Sequence, residues 1–233
     1  MILAVTDHYT ITTFTQEWWT VNLISFSVIA LFIYLGKMLD SEKRDYLTKF
    51  IATVLILRTV LVHPYHMFVL NDWDVTVNLP LHLCGLSAIL SGLVLLYPKQ
   101  MLYELLFFWG LPGAFHSFMT PEFTGGHQGI LYVEFFISHG GILLSALYLT
   151  MVKGMKPRVG SWWKVFLYSQ LLIPTIGFAN YLLDANYMFL CEAPIVANPF
   201  IFTREWPWYI LGIDMAALVH YYIVYLLSRL KKN

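Results

Sequence analysis

One of the two cysteines, Cys84, lies where a helix would favour a reactive thiol. The segment 78–87 opens an apolar run, and within it Asn78 suits a helix cap and Pro80 suits a first helical turn. Cys84 then falls about one turn inside the predicted helix. The positive end of a helix dipole stabilises a thiolate, so this placement predicts a nucleophile.

A cysteine nucleophile needs a general base, and the spacing argues against its nearest histidine. On a regular helix His82 and Cys84 are about 200° apart, so we expect the base to come from another helix. The depths of His116 and His139 in their own apolar runs nominate them as catalytic candidates. Two other interpretations of Cys84 are a small packing residue beside Gly85 and a disulfide with Cys191.

Further ionisable and amide side chains fall within the apolar runs, where such groups are costly and usually face a cavity or each other. On the second run, Arg58, Thr59, His63 and His66 fit within about 140° of one helical face. We therefore predict a polar cavity. The expected substrate-binding residues are Arg58, His63, His66, His82, Glu134, Asn180, Asp214 and His220. If Cys84 attacks an ester carbonyl, Asn180 or a histidine is the predicted donor to the oxyanion that forms.

Structural roles are also possible for these groups. A single buried histidine commonly hydrogen-bonds a neighbouring helix. Arg58 is equally able to form a structural ion pair with Glu104 or Glu134. These polar groups taken together are better evidence for a functional cavity than any one of them, because seven of the eight histidines fall in or beside the apolar runs.

The composition indicates what kind of element holds these side chains. Of 233 residues, 58% are hydrophobic and only 12% are charged, and 14 basic residues balance 14 acidic ones. Soluble domains contain about 25% charged residues. The high hydrophobic content and low charged content exclude a disordered chain and an ordinary soluble enzyme. The zero net charge excludes a nucleic-acid binder driven by basic charge. An integral membrane protein remains.

Seven apolar runs approach the roughly 20 residues that a membrane helix needs. We predict an all-α, single heptahelical domain over residues 1–233. The predicted spans are 18–39, 48–70, 78–97, 101–119, 129–152, 162–184 and 207–230. Pro80 and Pro207 are expected in first helical turns, and Pro64, Pro112 and Pro174 predict kinks.

The distribution of basic residues predicts the orientation of these spans. Twelve Lys or Arg residues collect on one side of the membrane and only Arg204 on the other. The positive-inside rule then places the N-terminus outside and the C-terminus in the cytoplasm of a plasma-membrane protein. The aromatic and proline-rich loop 185–206 is expected to cap the outer cavity or to anchor at the interface.

Five short motifs occur in order between about residues 63 and 222: Leu79–Cys84, Gly110–Ala114 with Thr120–Glu122, Phe135–His139, Asn180–Leu190 and Trp206–Tyr209. With these motifs the chain resembles the YwaF-like bacterial integral membrane proteins, which are related to transmembrane protein 164. The resemblance implies a cysteine-dependent transfer of an acyl chain from a phospholipid to a lysophospholipid. Cys84 occupies the cysteine position of the motif, and the implied partners are membrane lipids, with no cofactor and no nucleic acid.

Other functions remain open at this point. If water replaces the lipid acceptor, the same site is an acyl-ester hydrolase. A transporter or small-ligand binder would use Arg58, Glu134 and Asp214 as an anion or proton relay. A zinc-dependent lipid hydrolase would recruit His63, His66, Asp214 and His220, although our leading interpretation includes no metal. The oligomeric state is not predicted.

Overall fold

The computed structural model describes residues 9–123, 127, 129–194 and 201–230. Within these ranges the chain is mostly helical, as predicted. The α-helices are α1 (Gln16–Met38), α2 (Ser41–Tyr65), α3 (Leu83–Leu96), α4 (Gln100–Leu105), α5 (Leu111–Met119), α6 (Ile130–Met151), α7 (Ser161–Leu183) and α8 (Trp208–Arg229).

Shorter elements extend or join these helices. A π-helical segment, His66–Leu70, continues α2, and a second one, Leu106–Gly110, joins α4 to α5. A 3-10 turn covers Tyr187–Phe189. The two-residue strands β1 (Tyr9–Thr10) and β2 (Glu122–Phe123) pair antiparallel.

Among the described residues, five helices have the length and apolar character needed to cross a membrane. They are α1, α2 with its π extension (Ser41–Leu70), α6, α7 and α8. The helix α3 is apolar but has only 14 residues. At about 1.5 Å per residue it covers about 21 Å, which is less than the hydrocarbon thickness.

The predicted start of the third span is wrong, because the helix begins at Leu83 rather than near residue 78. Asn78 does not cap the helix. Its Oδ1 accepts a hydrogen bond from the Asp74 N–H at 2.6 Å, within the loop that precedes the helix. The amide and hydroxyl of Thr76 donate to Asp74 and hold its pKa below the usual range. Pro80 therefore lies in a turn outside the helix. Similarly, Pro207 is the residue before α8 rather than part of its first turn.

Proline also explains where the helices change their hydrogen-bond register. Pro64 precedes one π segment by two residues, and Pro112 follows the other by two. Because proline has no N–H, the ladder loses a bond and neighbouring groups find new partners. Pro174, in contrast, lies within a continuous α7.

Small residues bring α2, α3 and α6 into close contact. A Cβ atom on Gly141 would lie 2.2 Å from Leu55 Cδ2, and one on Gly92 would lie 2.6 Å from Ile56 Cγ1. These glycines therefore allow the helix backbones to approach. The tight packing fixes the relative positions of the helices that carry Arg58, Cys84 and Glu134.

Hydrogen bonds close the bundle at both ends. At one end, the basic end, Arg44 donates to the carbonyls of Gly36 and Leu39, and Arg229 donates to the carbonyl of Pro157. At the other end, Trp18 Nε1 donates to the Met119 carbonyl at 2.9 Å. This second end contains the loops that surround Cys84.

Candidate functional site

Two adjoining cavities of about 210 and 370 Å³ lie where α2, α3, α5 and α6 meet. Together they form what we call the paired cavity. Five residues line both: His66, His82, Cys84, Glu134 and His139. Arg58 and His63 line the smaller cavity, and His116 lines the larger one. Eight of the eleven site residues nominated from the sequence thus lie around one space.

Cys84 is the second residue of α3 and lies on the wall common to both cavities. No side chain caps this helix, so its first-turn amides keep their donor capacity, as expected at a helix N-terminus. The turn depends on Gly85, because a Cβ there would lie 2.9 Å from the Cα of Pro80. The backbone of the preceding loop thus rests directly against the residue after the thiol.

Ser117 of α5 lines the larger cavity together with Cys84. Its hydroxyl donates to the carbonyl of Gly113, one turn earlier, at 3.1 Å. A Cβ on Gly113 would lie 3.6 Å from Cys84 Sγ, so this face of α5 packs against the thiol. Ser117 is not among the residues nominated from the sequence, although its position directly after His116 in the same helix was an available signal.

His82 is not turned away from Cys84 by helix geometry, contrary to the prediction from the sequence, because it has extended backbone and precedes the helix. Its Nδ1 accepts a hydrogen bond from the Met188 N–H at 3.2 Å. The neutral ring therefore carries its proton on Nε2. His82 is thus arranged as a hydrogen-bond donor on the wall that it shares with Cys84.

The opposite tautomer is present at His139. Its Nδ1 lies 2.9 Å from the Phe135 carbonyl, which only accepts, so the ring proton is on Nδ1. Nε2 is then the nitrogen able to accept a proton. This chemistry fits the base role predicted for His139.

His116 forms a pair with His220 across α5 and α8. Their Nε2 atoms are 3.0 Å apart, and His220 Nδ1 donates to the Ala216 carbonyl at 2.6 Å. His220 Nε2 therefore accepts the proton of His116 Nε2. His220 lines a separate cavity of about 220 Å³ and reaches the paired cavity through His116.

Asp72 is a second residue that the sequence analysis missed. Its carboxylate oxygen lies 2.8 Å from Nδ1 of His66, and His66 is 6% exposed. A carboxylate in this position orients the imidazole and fixes its tautomer, with the ring proton on Nδ1. The π-helical end of α2 brings the two together, because the Asp72 amide also donates to the His66 carbonyl.

Arg58 forms an ion pair with Glu134 across α2 and α6. The other partner considered for Arg58 from the sequence, Glu104, is not its partner, because Glu104 forms an ion pair with Arg158 at the basic end. Both side chains of the Arg58 pair are only 20% exposed. Within the described part of the chain, Arg58 Nε–H has no hydrogen-bond partner.

Besides His220, two nominated residues lie outside the paired cavity. Asn180 donates to the Tyr187 carbonyl and accepts from the Tyr187 amide, so it holds the loop after α7. Both ends of its amide are engaged there, which does not suit an oxyanion donor. Asp214 accepts a hydrogen bond from Gln170 Nε2 at 2.9 Å, between α7 and α8.

The loop after α7 contributes directly to the wall of the site. Phe189 lines the larger cavity and contacts the ring of His82. Tyr187 O–H donates to the Val75 carbonyl at 2.7 Å, and Trp206 Nε1 donates to the Leu190 carbonyl. The part of the predicted cap that includes Pro199 and Phe200 lies outside the described residues.

Two alternatives considered from the sequence are not formed. Cys84 and Cys191 are both free thiols, and Cys191 is exposed, so they make no disulfide. Residues 9–123, 127, 129–194 and 201–230 hold no group of three or more His, Cys, Asp or Glu side chains placed to bind a metal ion. The four residues considered for zinc lie in different places: His63 and His66 line the smaller cavity, His220 lines the separate cavity, and Asp214 bonds Gln170 between α7 and α8.

Helices of membrane-spanning length, together with a polar cavity inside the bundle, define a helical membrane protein with an internal site. The model of the TMEM164 family matches residues 11–225, and the chain belongs to that family. The resemblance drawn from the sequence motifs is confirmed, and the protein is a multi-pass membrane protein. No curated protein and no solved structure matches the chain.

Proposed function

We propose that this protein transfers acyl chains between phospholipid and lysophospholipid, with Cys84 as the nucleophile. The observation that carries the proposal is the position of Cys84 on the common wall of two cavities lined with histidine. A thiol beside an imidazole at a helix N-terminus is the usual arrangement of a cysteine nucleophile. If water accepts the acyl group instead of a lysophospholipid, the same site acts as an acyl-ester hydrolase.

The chemistry proceeds in two displacements. The thiol proton passes to an imidazole as Cys84 Sγ attacks the ester carbonyl of the phospholipid. The carbon–oxygen bond of the ester then breaks, and the lysophospholipid leaves with that proton. The thioester is attacked by the hydroxyl of a second lysophospholipid, which releases the free thiol and yields a new phospholipid.

The tautomers divide the proton-transfer roles among the histidines. His139 and His66 have Nδ1 engaged as a donor, so Nε2 is the proton acceptor in each. His82 presents N–H on Nε2 and, with the amides that open α3, forms the proposed oxyanion site. These groups replace Asn180 in that role.

We also propose that the bundle crosses the plasma membrane seven times with its N-terminus outside. The third and fourth spans are α3 and the α4–α5 unit, which is interrupted by a π segment. The basic end, with Lys37, Lys99 and Arg158, then faces the cytoplasm. The paired cavity lies in the outer half of the membrane.

Native Cys191 provides a test of this orientation, because it is exposed in the loop between α7 and α8. In a Cys84→Ser background, a membrane-impermeant maleimide is expected to label Cys191 on intact cells. With Cys191 also replaced by Ser, Lys99→Cys is expected to react only after permeabilisation. The reverse pattern would contradict the orientation.

The proposed reaction is tested by intact-protein mass spectrometry after incubation with mixed phospholipids. We expect an added acyl mass on the parent protein, its loss in Cys84→Ser and its retention in Cys191→Ser. The adduct should be released by hydroxylamine, since it is a thioester. If all three proteins remain unmodified while a maleimide shows that Cys84 is accessible, covalent cysteine catalysis is wrong.

A second candidate function, transport or binding of a small anion, is favoured by the buried cation of Arg58 beside the smaller cavity. Proteoliposomes distinguish the two functions. A transporter would accumulate solute without forming the acyl adduct, and Cys84→Ser would leave uptake intact.

A further inference from the structure

An apolar groove of about 390 Å³ follows the bundle surface between α1, α2 and α6. Its walls are formed by aliphatic and aromatic side chains, including Ile24 and Val28 of α1, Val54 and Leu55 of α2, and Val133 and Ile137 of α6. Along α6 it extends from Val133 to Leu144, about 17 Å at the usual helical rise. In a multi-pass membrane protein this groove faces hydrocarbon.

The groove adjoins the paired cavity at the Arg58–Glu134 ion pair. On α2, Arg58 comes one turn after the groove residue Leu55, and on α6 Glu134 directly follows the groove residue Val133. Both ionic side chains line the smaller cavity. The ion pair is therefore the boundary between an apolar surface and the polar space that contains Cys84.

We infer that this groove binds an acyl chain of a phospholipid, with the phosphate directed toward Arg58. An amphiphile matches the two surfaces, because its chain fits the apolar walls and its anionic group fits a guanidinium. Within the described residues the enclosed Arg58 Nε–H is without a hydrogen-bond partner, and the guanidinium lines the smaller cavity, where a phosphate oxygen would approach it. The inference rests on the proposed function only in naming this lipid as the substrate.

This binding mode gives the substrate a lateral route. The lipid enters from the membrane along this groove, and its glycerol end arrives at the boundary of the paired cavity. Packing at the groove floor supports a fixed opening, since Gly141 of α6 is held tightly against Leu55 of α2. A bulky residue at the rim should therefore block the groove without opening the bundle.

Val133 and Val219 form a matched pair for the experiment. Val133 lines the groove and is 53% exposed, whereas Val219 is 52% exposed on α8 and is not part of the groove lining. Val133→Trp places an indole in the groove. Val219→Trp makes the same change on another membrane-facing surface.

The test uses Cys84→Ser protein in phosphatidylcholine vesicles that contain phosphatidylcholine with a diazirine in the middle of one acyl chain. After photolysis, peptide mass spectrometry locates the cross-links. We expect them to be concentrated on the groove faces of α1, α2 and α6, to be lost in Val133→Trp and to remain in Val219→Trp. Cross-links spread evenly over the membrane-facing helices, or unchanged by Val133→Trp, would overturn the proposal.

A second probe tests the phosphate contact. Diacylglycerol with the same diazirine chain lacks the phosphate, so its groove labelling should be about tenfold weaker, as expected from the loss of one charge-assisted hydrogen bond. Equal labelling would contradict the role of Arg58. Because Cys84→Ser protein forms no thioester, groove labelling succeeds or fails independently of the acyl-transfer proposal.

Discussion

Two arginine–glutamate ion pairs stabilise different parts of the bundle, and they differ in how fully their polar atoms are used. At the basic end, Glu104 is 3% exposed and accepts hydrogen bonds from the amide and guanidinium of Arg158 and from Gln100. In the Arg58–Glu134 pair both side chains are 20% exposed, and one guanidinium donor lacks a partner within the described residues. In the first pair both carboxylate oxygens accept hydrogen bonds, whereas in the second pair one N–H donor has no partner within the described residues and could bind a ligand.

The comparison shows why residue type and depth alone did not distinguish structure from function. From the sequence, Arg58, Glu104 and Glu134 were all ionisable groups in apolar runs, and any pairing between them was reasonable. A buried pair whose donors and acceptors are all satisfied needs no substrate to explain it. A pair with an unused donor beside a cavity is a better candidate for binding.

The largest expected effect comes from Arg58→Met. Loss of a buried charged contact to a phosphate costs several kcal/mol, so the initial rate of acyl loading of Cys84 should fall on the order of 100-fold. The rate is measured by intact-protein mass spectrometry over time. Arg158→Met is the matched control, because Arg158 is remote from the paired cavity and its loss should leave that rate unchanged.

A smaller effect, on stability rather than rate, is expected from Glu104→Gln. The amide replaces a carboxylate that accepts from both the backbone and the guanidinium of Arg158. The thermal midpoint in detergent should fall by about 5 °C, while the alkylation rate of Cys84 at lower temperature stays constant. A changed alkylation rate would mean that the two ends of the bundle are coupled.

The smallest effect is expected from Asp72→Asn, which removes the carboxylate beside His66 and leaves the side-chain volume nearly unchanged. If His66 carries a proton during acyl transfer, loading of Cys84 should slow about tenfold. Asp74→Asn is the control, because Asp74 is in the same loop but bonds Thr76 instead of a histidine. Equal rates in the two variants would assign the proton transfer to His139 alone.

The sequence predicted those features that depend on local pattern. Periodicity indicated the helical stripe of Arg58, His63 and His66, and the motif around Cys84 indicated a helix, although its start was predicted near residue 78 rather than at Leu83. The seven-span count and the orientation remain predictions. The contributions of Asp72, Ser117 and Asn180 depend on how distant or irregular segments come together, such as the π-helical end of α2 and the loop after α7. No periodic pattern encodes such contacts.

The loop before α3 illustrates the same limit. Asn78 and Pro80 have side chains that favour a helix start, but Asn78 instead completes a turn with Asp74, and the Leu79 amide donates to the Tyr187 hydroxyl. Tertiary contacts thus outweighed local propensity and moved the helix start to Leu83. This shift brought His82 out of the helix and onto the same wall as Cys84.

The position of Cys84 on a wall common to two cavities has a kinetic consequence for the proposed enzyme. A donor lipid and an acceptor lipid need not compete for one pocket, because each cavity reaches the same sulfur. The departing lysophospholipid and the arriving one would use separate chambers. Double-reciprocal plots at several acceptor concentrations should then give parallel lines, and excess donor should cause little inhibition.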